Sequence, residues 1–269
     1  MGSTPDDPPL TSPTDATNGN DTTNGNNTTN GNNTTNPPSS SNNNDNNNIP
    51  YWNVNLPPHL HTPTCPPHLL HLTPKDRRIL STPDADYQTD TWPSVLSKIS
   101  AYRPDLFQRL PSDLRRYHEF CHRVSQQHGS VMNFILTQRL GWGELLPLVP
   151  KGKTPFEEEE EDVKILRNDW PYGLDKRIVH LVVWVKFELE TEGEKGDLTE
   201  GAKRLVDGWV RKKFLVEEGR MVWFRNWTCL KSVKSVEHFH VLLFDPDKGL
   251  VDRLTGGDVP LCERVGLGF

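Results

Sequence analysis

The sequence predicts an α+β protein in which an N-terminal helical region packs on a mostly antiparallel sheet, with one main helix crossing that sheet. Between residues 92 and 142, apolar residues recur at helical spacing. Between 163 and 244, runs rich in β-branched and aromatic residues follow the order strand, strand, helix, strand, strand. No glycine-rich phosphate loop follows a strand, which argues against a Rossmann or P-loop fold.

The first 48 residues are expected to form a disordered Asn/Thr-rich tail. They contain no Lys, Arg or aromatic residue, and a six-residue Thr/Asn/Gly unit repeats three times between Thr17 and Thr34. With so little apolar surface to bury, this segment cannot offset an ordering cost of roughly 1–2 kcal/mol per residue. An Asn-rich self-association segment is the alternative interpretation.

The charge and hydropathy patterns argue against several classes of partner. The tail carries five of the six net negative charges, so the rest of the chain is close to neutral. Such a domain lacks the basic patch of a nucleic-acid-binding protein and the basic stripe of a membrane-surface helix. No apolar run is long enough to span a bilayer or to form a signal-peptide core. We therefore expect a cytoplasmic protein, with the nucleus as an open alternative, that binds neither nucleic acid nor membranes.

Residues 49–71 are rich in proline and histidine. Four histidines and Cys65 fall between His59 and His71, but the intervening prolines hinder a compact four-ligand metal site. A proline-stiffened linker is the preferred interpretation. A single α+β domain is then expected over 72–269, divided into a helical part at 72–142, an acidic loop at 143–162 and a sheet part at 163–254.

Four helices are predicted in the helical part. Trp92-Pro93 and Pro104 each place proline in a first helical turn. Ser112 is predicted to cap the third helix, and Gly129 to end it. Ser130 is predicted to open the fourth. The acidic loop that follows contains five consecutive glutamates, whose mutual repulsion predicts a solvated segment.

The sheet part contains four predicted strands, at 163–166, 179–187, 221–224 and 239–244. The main helix is predicted near 197–213, with a buried face made of Leu205, Val206, Trp209 and Val210. Asn168-Asp-Trp-Pro171 is predicted to form a tight turn between two paired strands.

His118-Glu119-Phe-Cys-His122 fits the H-E-x-x-H pattern of zinc peptidases, with His128 as a candidate third ligand. That pattern needs a glycine where Ser125 stands, because the chain must leave the helix to bring the third histidine round. A straight helix would carry His128 away from the other two. A zinc peptidase is therefore the less favoured hypothesis, and no metal or other cofactor is expected.

A second constellation lies on the predicted strands. His238 and His240 are two residues apart, so they point to the same face of a strand. His180 lies within another apolar strand. An imidazole held by a neighbouring imidazole can attack phosphorus as a nucleophile. Structural histidines, hydrogen-bonded within the core, are the alternative.

Over residues 72–254 the chain resembles a fungal family of unknown function whose members are named N-acetylglucosamine-induced protein. The motifs that carry the resemblance are 111–117 (PSDLRRY), 168–173 (NDWPYG), 180–184 (HLVVW), 223–227 (WFRNW) and 237–241 (EHFHV). The family name reports induction and implies no substrate.

Residues 163–244 also resemble the histidine-triad (HIT) superfamily, which includes galactose-1-phosphate uridylyltransferase, and this resemblance implies a HIT-like sheet. It implies His240 as nucleophile, His238 as its neighbour and His180 as an outer histidine. It further implies that Ser235 contacts phosphate and that Asn226 holds the phosphate loop. Leu242 stands where the third histidine of the triad is expected, and Lys231-Ser-Val-Lys234 lacks the glycines of the phosphate loop.

Two functions follow as expectations. In the first, His240 forms a covalent phospho- or nucleotidyl-histidine with a small phosphorylated metabolite, such as a sugar phosphate or a nucleotide. In the second, a pocket binds a ligand or partner without chemistry. That pocket would be lined by Trp170, Trp184, Arg225, His238 and His240, because Trp and Arg offer stacking surfaces and charge-assisted hydrogen bonds.

Overall fold

A four-stranded antiparallel sheet organises the protein, and its strand order is β1-β2-β6-β5. The computed structural model describes residues 49–143, 147–227 and 236–264, which belong to one compact unit beginning at residue 47. The strands are β1 (Val163–Arg167), β2 (Ile178–Val185), β3 (Thr191–Glu192), β4 (Asp197–Leu198), β5 (Met221–Phe224) and β6 (Glu237–Phe244). Strands β3 and β4 form a separate small hairpin sheet. The predicted α+β class is confirmed.

The helices precede and follow these strands along the chain. They are α1 (Pro74–Leu80), α2 (Trp92–Ser100), α3 (Pro111–His128), α4 (Val131–Phe134), α5 (Glu159–Asp162), α6 (Glu200–Phe214) and α7 (Lys248–Thr255). A π-helical segment, Ile135–Leu140, continues α4 directly, and five short 3₁₀ turns complete the described residues. No helix in the described part of the chain is long and apolar enough to cross a bilayer.

The two faces of the sheet bury different sets of side chains, because successive residues of a strand point to opposite faces. One face carries Leu181 and Val183 of β2 and Phe239 and Val241 of β6, which pack with residues of α6 and α7. The other face is covered by the N-terminal helical region. There Val182 and Trp184 pack with the π-helical segment, while Phe224 and Leu242 pack with Trp92 and Phe107. The predicted layering, with one main helix crossing the sheet, is therefore present.

The start of α3 differs from the prediction. The helix begins at Pro111, and its N-cap residue, Leu110, makes no side-chain capping bond. The backbone N–H of Ser112 donates to the Asp84 carboxylate at 3.0 Å. A carboxylate from a distant turn thus performs the capping predicted for Ser112. The helix ends at Gly129 (φ 77°), and Ser130 caps α4 by accepting from Asn133 N, both as predicted.

The connection between β1 and β2 is longer than the predicted tight turn. The Asn168 side chain accepts a hydrogen bond from Trp170 N at 2.9 Å, which turns the chain away from the sheet. The chain then pairs with residues before α2 through a bridge between Asp90 and Leu174. The connection between the antiparallel strands β1 and β2 is therefore ten residues long, and several of its residues border the histidine cavity.

Two segments expected to be solvent-exposed are packed instead. In the proline-rich segment 49–71, Leu69 is fully buried with Ile79 and Leu114. In the acidic loop, Asp162 is 2% exposed and accepts from the backbone of Lys151 and Gly152. These contacts bury residues that sequence composition alone predicted to be solvent-exposed.

The acidic run also contacts the main helix. Glu159 accepts from Trp209 Nε1 at 2.7 Å and from Lys213 Nζ at 2.6 Å. Residues 197–198, predicted as the start of the main helix, belong to β4 instead. Leu205 of α6 is 41% exposed rather than buried. The helix starts at Glu200, three residues later than predicted, and its core face consists of Ala202, Val206, Trp209, Val210 and Phe214.

Candidate histidine site

Three histidines of the sheet converge beneath the N-terminal helical region. His180 lies on β2, whereas His238 and His240 lie on β6, and all three are at most 6% exposed. In the register of the two strands, His240 pairs with Val182 and His180 pairs with Leu242. Residues diagonal to each other across antiparallel strands lie on one face and within reach. As a result, His180 Nε2 is 3.0 Å from His240 Nδ1.

Hydrogen-bond partners determine which nitrogens of His180 and His240 carry protons. Asn226 Nδ2, which can only donate, lies 3.1 Å from His240 Nε2 and 3.2 Å from the Tyr172 hydroxyl. Nε2 of His240 is therefore the acceptor, and its Nδ1–H donates to His180 Nε2. Asn168 Nδ2 lies 3.1 Å from the same His180 nitrogen, whose one lone pair accepts from His240.

His180 is held neutral by its surroundings. Complete burial, with a smaller effect of the Arg109 charge, lowers the pKa of His180 from 6.5 to about 3. Its ring stacks on Tyr172 at 5.0 Å between centroids, and the ring of His240 stacks on Phe224 at 4.9 Å. The His180 ring is thus ordered and uncharged at neutral pH.

His238 has a different environment. Its Nδ1 lies 2.8 Å from the carbonyl oxygen of Val236, two residues earlier on the same strand. Because a carbonyl can only accept, Nδ1 carries the proton, and in the neutral ring the lone pair is on Nε2. The ring packs against Trp184 with 4.5 Å between centroids. His238 therefore has the same Nδ1–H tautomer as His240, with the lone pair on Nε2, the nitrogen through which it would act as a nucleophile.

A cavity of about 180 Å³ opens onto His238 and His240. Its polar and aromatic lining includes His238, His240, Asn168, Asn226, Trp170, Trp184, Tyr172, Arg109, Arg139 and Arg167.

Arg109 is the functional candidate that sequence reasoning missed. Its Nε donates to the carbonyl of Trp170 at 2.9 Å, and its guanidinium lies over the Tyr117 ring at 4.2 Å. Among the described residues it makes no ion pair with a carboxylate, whereas Arg139 is paired with both Asp169 and Asp258. Arg109 can therefore offer charge to an anion in the cavity. Nothing in the local sequence around Arg109 signals this position.

The fold places the remaining predicted site residues in different locations. Trp170, Trp184 and Asn226 line the histidine cavity, whereas His180 lies behind His240 and is not part of the lining. Arg225 lies outside it, because it is adjacent to Asn226 in an extended segment and points the other way. Its guanidinium is bound to Glu237 at 2.8 and 3.1 Å and borders a second cavity. Ser235 lies outside the described residues.

The H-E-x-x-H segment does not form a zinc site. Helix α3 is continuous through Ser125 to His128, so the third histidine cannot turn back toward the first two. His118 Nε2 lies 3.7 Å from Asp76, and His122 contacts Gln126, while His128 packs on Phe134. Within residues 49–143, 147–227 and 236–264, no three His, Cys, Asp or Glu side chains could together hold a metal ion.

The chain is similar to two fungal proteins. It is 28% identical over 185 residues to N-acetylglucosamine-induced protein 1 of Candida albicans, covering 62% of this chain and 73% of that protein. It is 30% identical over 135 residues to an uncharacterized protein of Saccharomyces cerevisiae, covering 49% of this chain and 67% of that protein.

A solved structure and a protein family also match this chain. The crystal structure of HTC1 superposes with a TM-score of 0.51 at 24% identity, covering 63% of this chain and 97% of that chain, which shows a shared fold. Residues 91–244 match the family described as protein of unknown function DUF3605. The resemblance drawn from the tryptophan-rich motifs is thus confirmed. Because the family match spans more than half of the chain, this protein belongs to the DUF3605 family.

Proposed function

We propose that the histidine site binds a small phosphorylated metabolite and that His238 attacks its phosphorus. The observation that carries this proposal is the hydrogen bond from His238 Nδ1 to the Val236 carbonyl, since it leaves the lone pair on Nε2. Sequence resemblance alone pointed to His240. The Nε2 of His240 accepts from Asn226 and its Nδ1 donates to His180, so an attack by His240 would require that amide to be displaced first.

The size and charge of the cavity support a small anionic ligand. A volume of about 180 Å³ is below the roughly 300–1,000 Å³ of typical ligand pockets, and it suits a phosphate with a compact substituent such as a sugar. Arg109 supplies a cation for the phosphate oxygens, and charge-assisted hydrogen bonds to phosphate are among the stronger ones. The tryptophans Trp170 and Trp184 supply flat surfaces for a sugar ring.

The reaction proceeds in two displacements. The His238 Nε2 lone pair forms a P–N bond while the bond from phosphorus to the leaving oxygen breaks, and that oxygen departs with the electron pair. Water, or a second hydroxyl compound, then attacks phosphorus. The P–N bond breaks, the ring regains its lone pair, and the proton of the attacking hydroxyl neutralises the released oxygen. The resemblance of residues 163–244 to the histidine-triad superfamily supports phosphorus as the target.

The test is covalent labelling with phosphorus-labelled sugar phosphates, nucleotide sugars and nucleotides. Wild-type protein is expected to form an acid-labile, alkali-stable adduct. His238→Ala should abolish this adduct, whereas His240→Ala should leave a weaker one. Loss in His240→Ala with retention in His238→Ala would assign the nucleophile to His240 and overturn our assignment.

A non-catalytic binding site is the second candidate function, and the sequence Lys231-Ser-Val-Lys234 favours it, because it lacks the glycines of a phosphate loop that would hold the transferred group. Under this alternative no adduct or turnover occurs with any labelled compound. A sugar phosphate would then raise Tm equally in wild type and His238→Ala, while Arg109→Met would remove the effect.

A further inference from the structure

A second cavity, of about 570 Å³, lies on the opposite side of strand β5 from the histidine cavity. It is bordered by the end of α2, the turn that follows it, strands β4 and β5 and one face of α6. Its volume falls within the range of about 300–1,000 Å³ that small-molecule sites occupy. No residue of the histidine constellation lines it.

The walls of this cavity are largely aromatic. Tyr102, Trp223 and Trp227 line it together with Phe224. Trp223 is fixed by a hydrogen bond from its Nε1 to Asp207 at 3.1 Å. Rigid aromatic side chains of this kind provide stacking surfaces for a flat hydrophobic molecule at low entropic cost.

The face of α6 that closes the cavity contains a glycine with no structural reason to be there. Gly208 lies in the interior of the helix, where glycine is the least favourable residue apart from proline. Its backbone is ordinary helix, and a Cβ added at this position would meet nothing within 4 Å. The chain itself therefore does not require glycine here. A ligand lying against the helix backbone at this position would require glycine there.

The charges on the cavity lining favour an anion. The three acidic residues of the lining, Asp197, Glu200 and Asp207, are paired with Lys203 or Arg211. Arg103 is likewise paired with Asp105, and Arg225 with Glu237. Arg204, one helical turn before Gly208, makes no ion pair within the described residues.

We propose that this cavity is a second binding site, for a planar hydrophobic molecule that carries one anionic group. The ring system would stack on Trp223 and Trp227 and lie over Gly208, and the anionic group would contact Arg204. This site is independent of the histidine site and of the function proposed for it.

The test uses anilinonaphthalene sulfonate, a fluorescent planar anion, titrated into the full-length protein. We expect one saturable site, and Gly208→Phe should weaken binding at least about tenfold because its ring occupies the ligand position. Gly201→Phe is the matched control. It places the same side chain on the same helix, also at a position with room for it, but outside the cavity. It should leave the dissociation constant unchanged.

Further variants separate the parts of the proposal. Arg204→Glu should weaken the sulfonate dye but not its uncharged analogue phenylnaphthylamine; equal weakening of both would overturn the anionic preference. His238→Ala should not affect the dye, and a loss there would show that the dye reports the histidine site. Equal binding by folded Gly208→Phe and Gly201→Phe would overturn the site. If circular dichroism shows Gly208→Phe unfolded, Gly208→Leu replaces it.

Discussion

His180 illustrates how a single buried side chain can make the whole protein sensitive to acid. Its pKa in the folded protein is about 3, against an ordinary value of 6.5, because burial disfavours the charged ring. Between these two values the unfolded chain binds a proton that the folded protein does not. The contribution of His180 to the free energy of unfolding is therefore fully present at neutral pH, and it is lost as the pH falls from 6.5 toward 3.

We expect His180→Gln to reduce the acid sensitivity of folding. In wild type, one proton taken up on unfolding contributes a slope of about 1.4 kcal/mol per pH unit below pH 6. Urea unfolding at several pH values between 7 and 4.5 measures this slope. His59→Gln, at an exposed histidine, is the control and should keep the wild-type slope. Identical slopes in His180→Gln and wild type would contradict the assignment.

Helix α6 depends on a cap that joins it to the small hairpin sheet. Thr199 Oγ1 accepts from Ala202 N at 3.2 Å and donates to Glu190 at 3.1 Å. The cap satisfies a backbone N–H that has no partner within the helix. It also determines where the helix begins.

Thr199→Ala is expected to lower the free energy of unfolding by about 1 kcal/mol, since the capping oxygen is lost. Thr199→Ser keeps that oxygen and should remain close to wild type. Chemical denaturation of the three proteins gives the comparison. A Ser variant as unstable as the Ala variant would indicate that the threonine methyl, rather than the cap, matters.

One buried arginine connects three distant parts of the molecule. Arg139, in the π-helical segment, bonds Asp169 of the β1–β2 connection and Asp258 beyond α7 at 2.8–2.9 Å. Both carboxylates also accept backbone N–H groups, from Leu261 and Arg167. This network lies beside the histidine cavity and holds one of its walls.

Arg139→Met is expected to cost about 3–5 kcal/mol, because it removes the buried cation that two buried carboxylates share. Arg264 offers a matched control: it contacts the same Asp258 at 3.3 Å, but its side chain is 40% exposed. Arg264→Met should cost less than about 1 kcal/mol. Similar losses in thermal and urea denaturation for the two variants would rule out a special role for the buried network.

The local patterns of the sequence determined the type and order of the elements. Strands β5 and β6, the end of α3 at Gly129 and the cap at Ser130 follow from side-chain periodicity and from the conformations that glycine and serine favour. The shared strand face of His238 and His240 follows from the same two-residue period. These features depend on neighbours in the chain, so the sequence by itself contains them.

Tertiary contacts decided the chemistry of the site. The Asn226 amide and the His180 ring determine the tautomer of His240, and neither contact follows from periodicity. Arg109 reaches the cavity only because the N-terminal region folds over the sheet. Proton positions and ion pairing depend on atoms within about 3 Å that come from distant segments, and only the folded structure brings those atoms together.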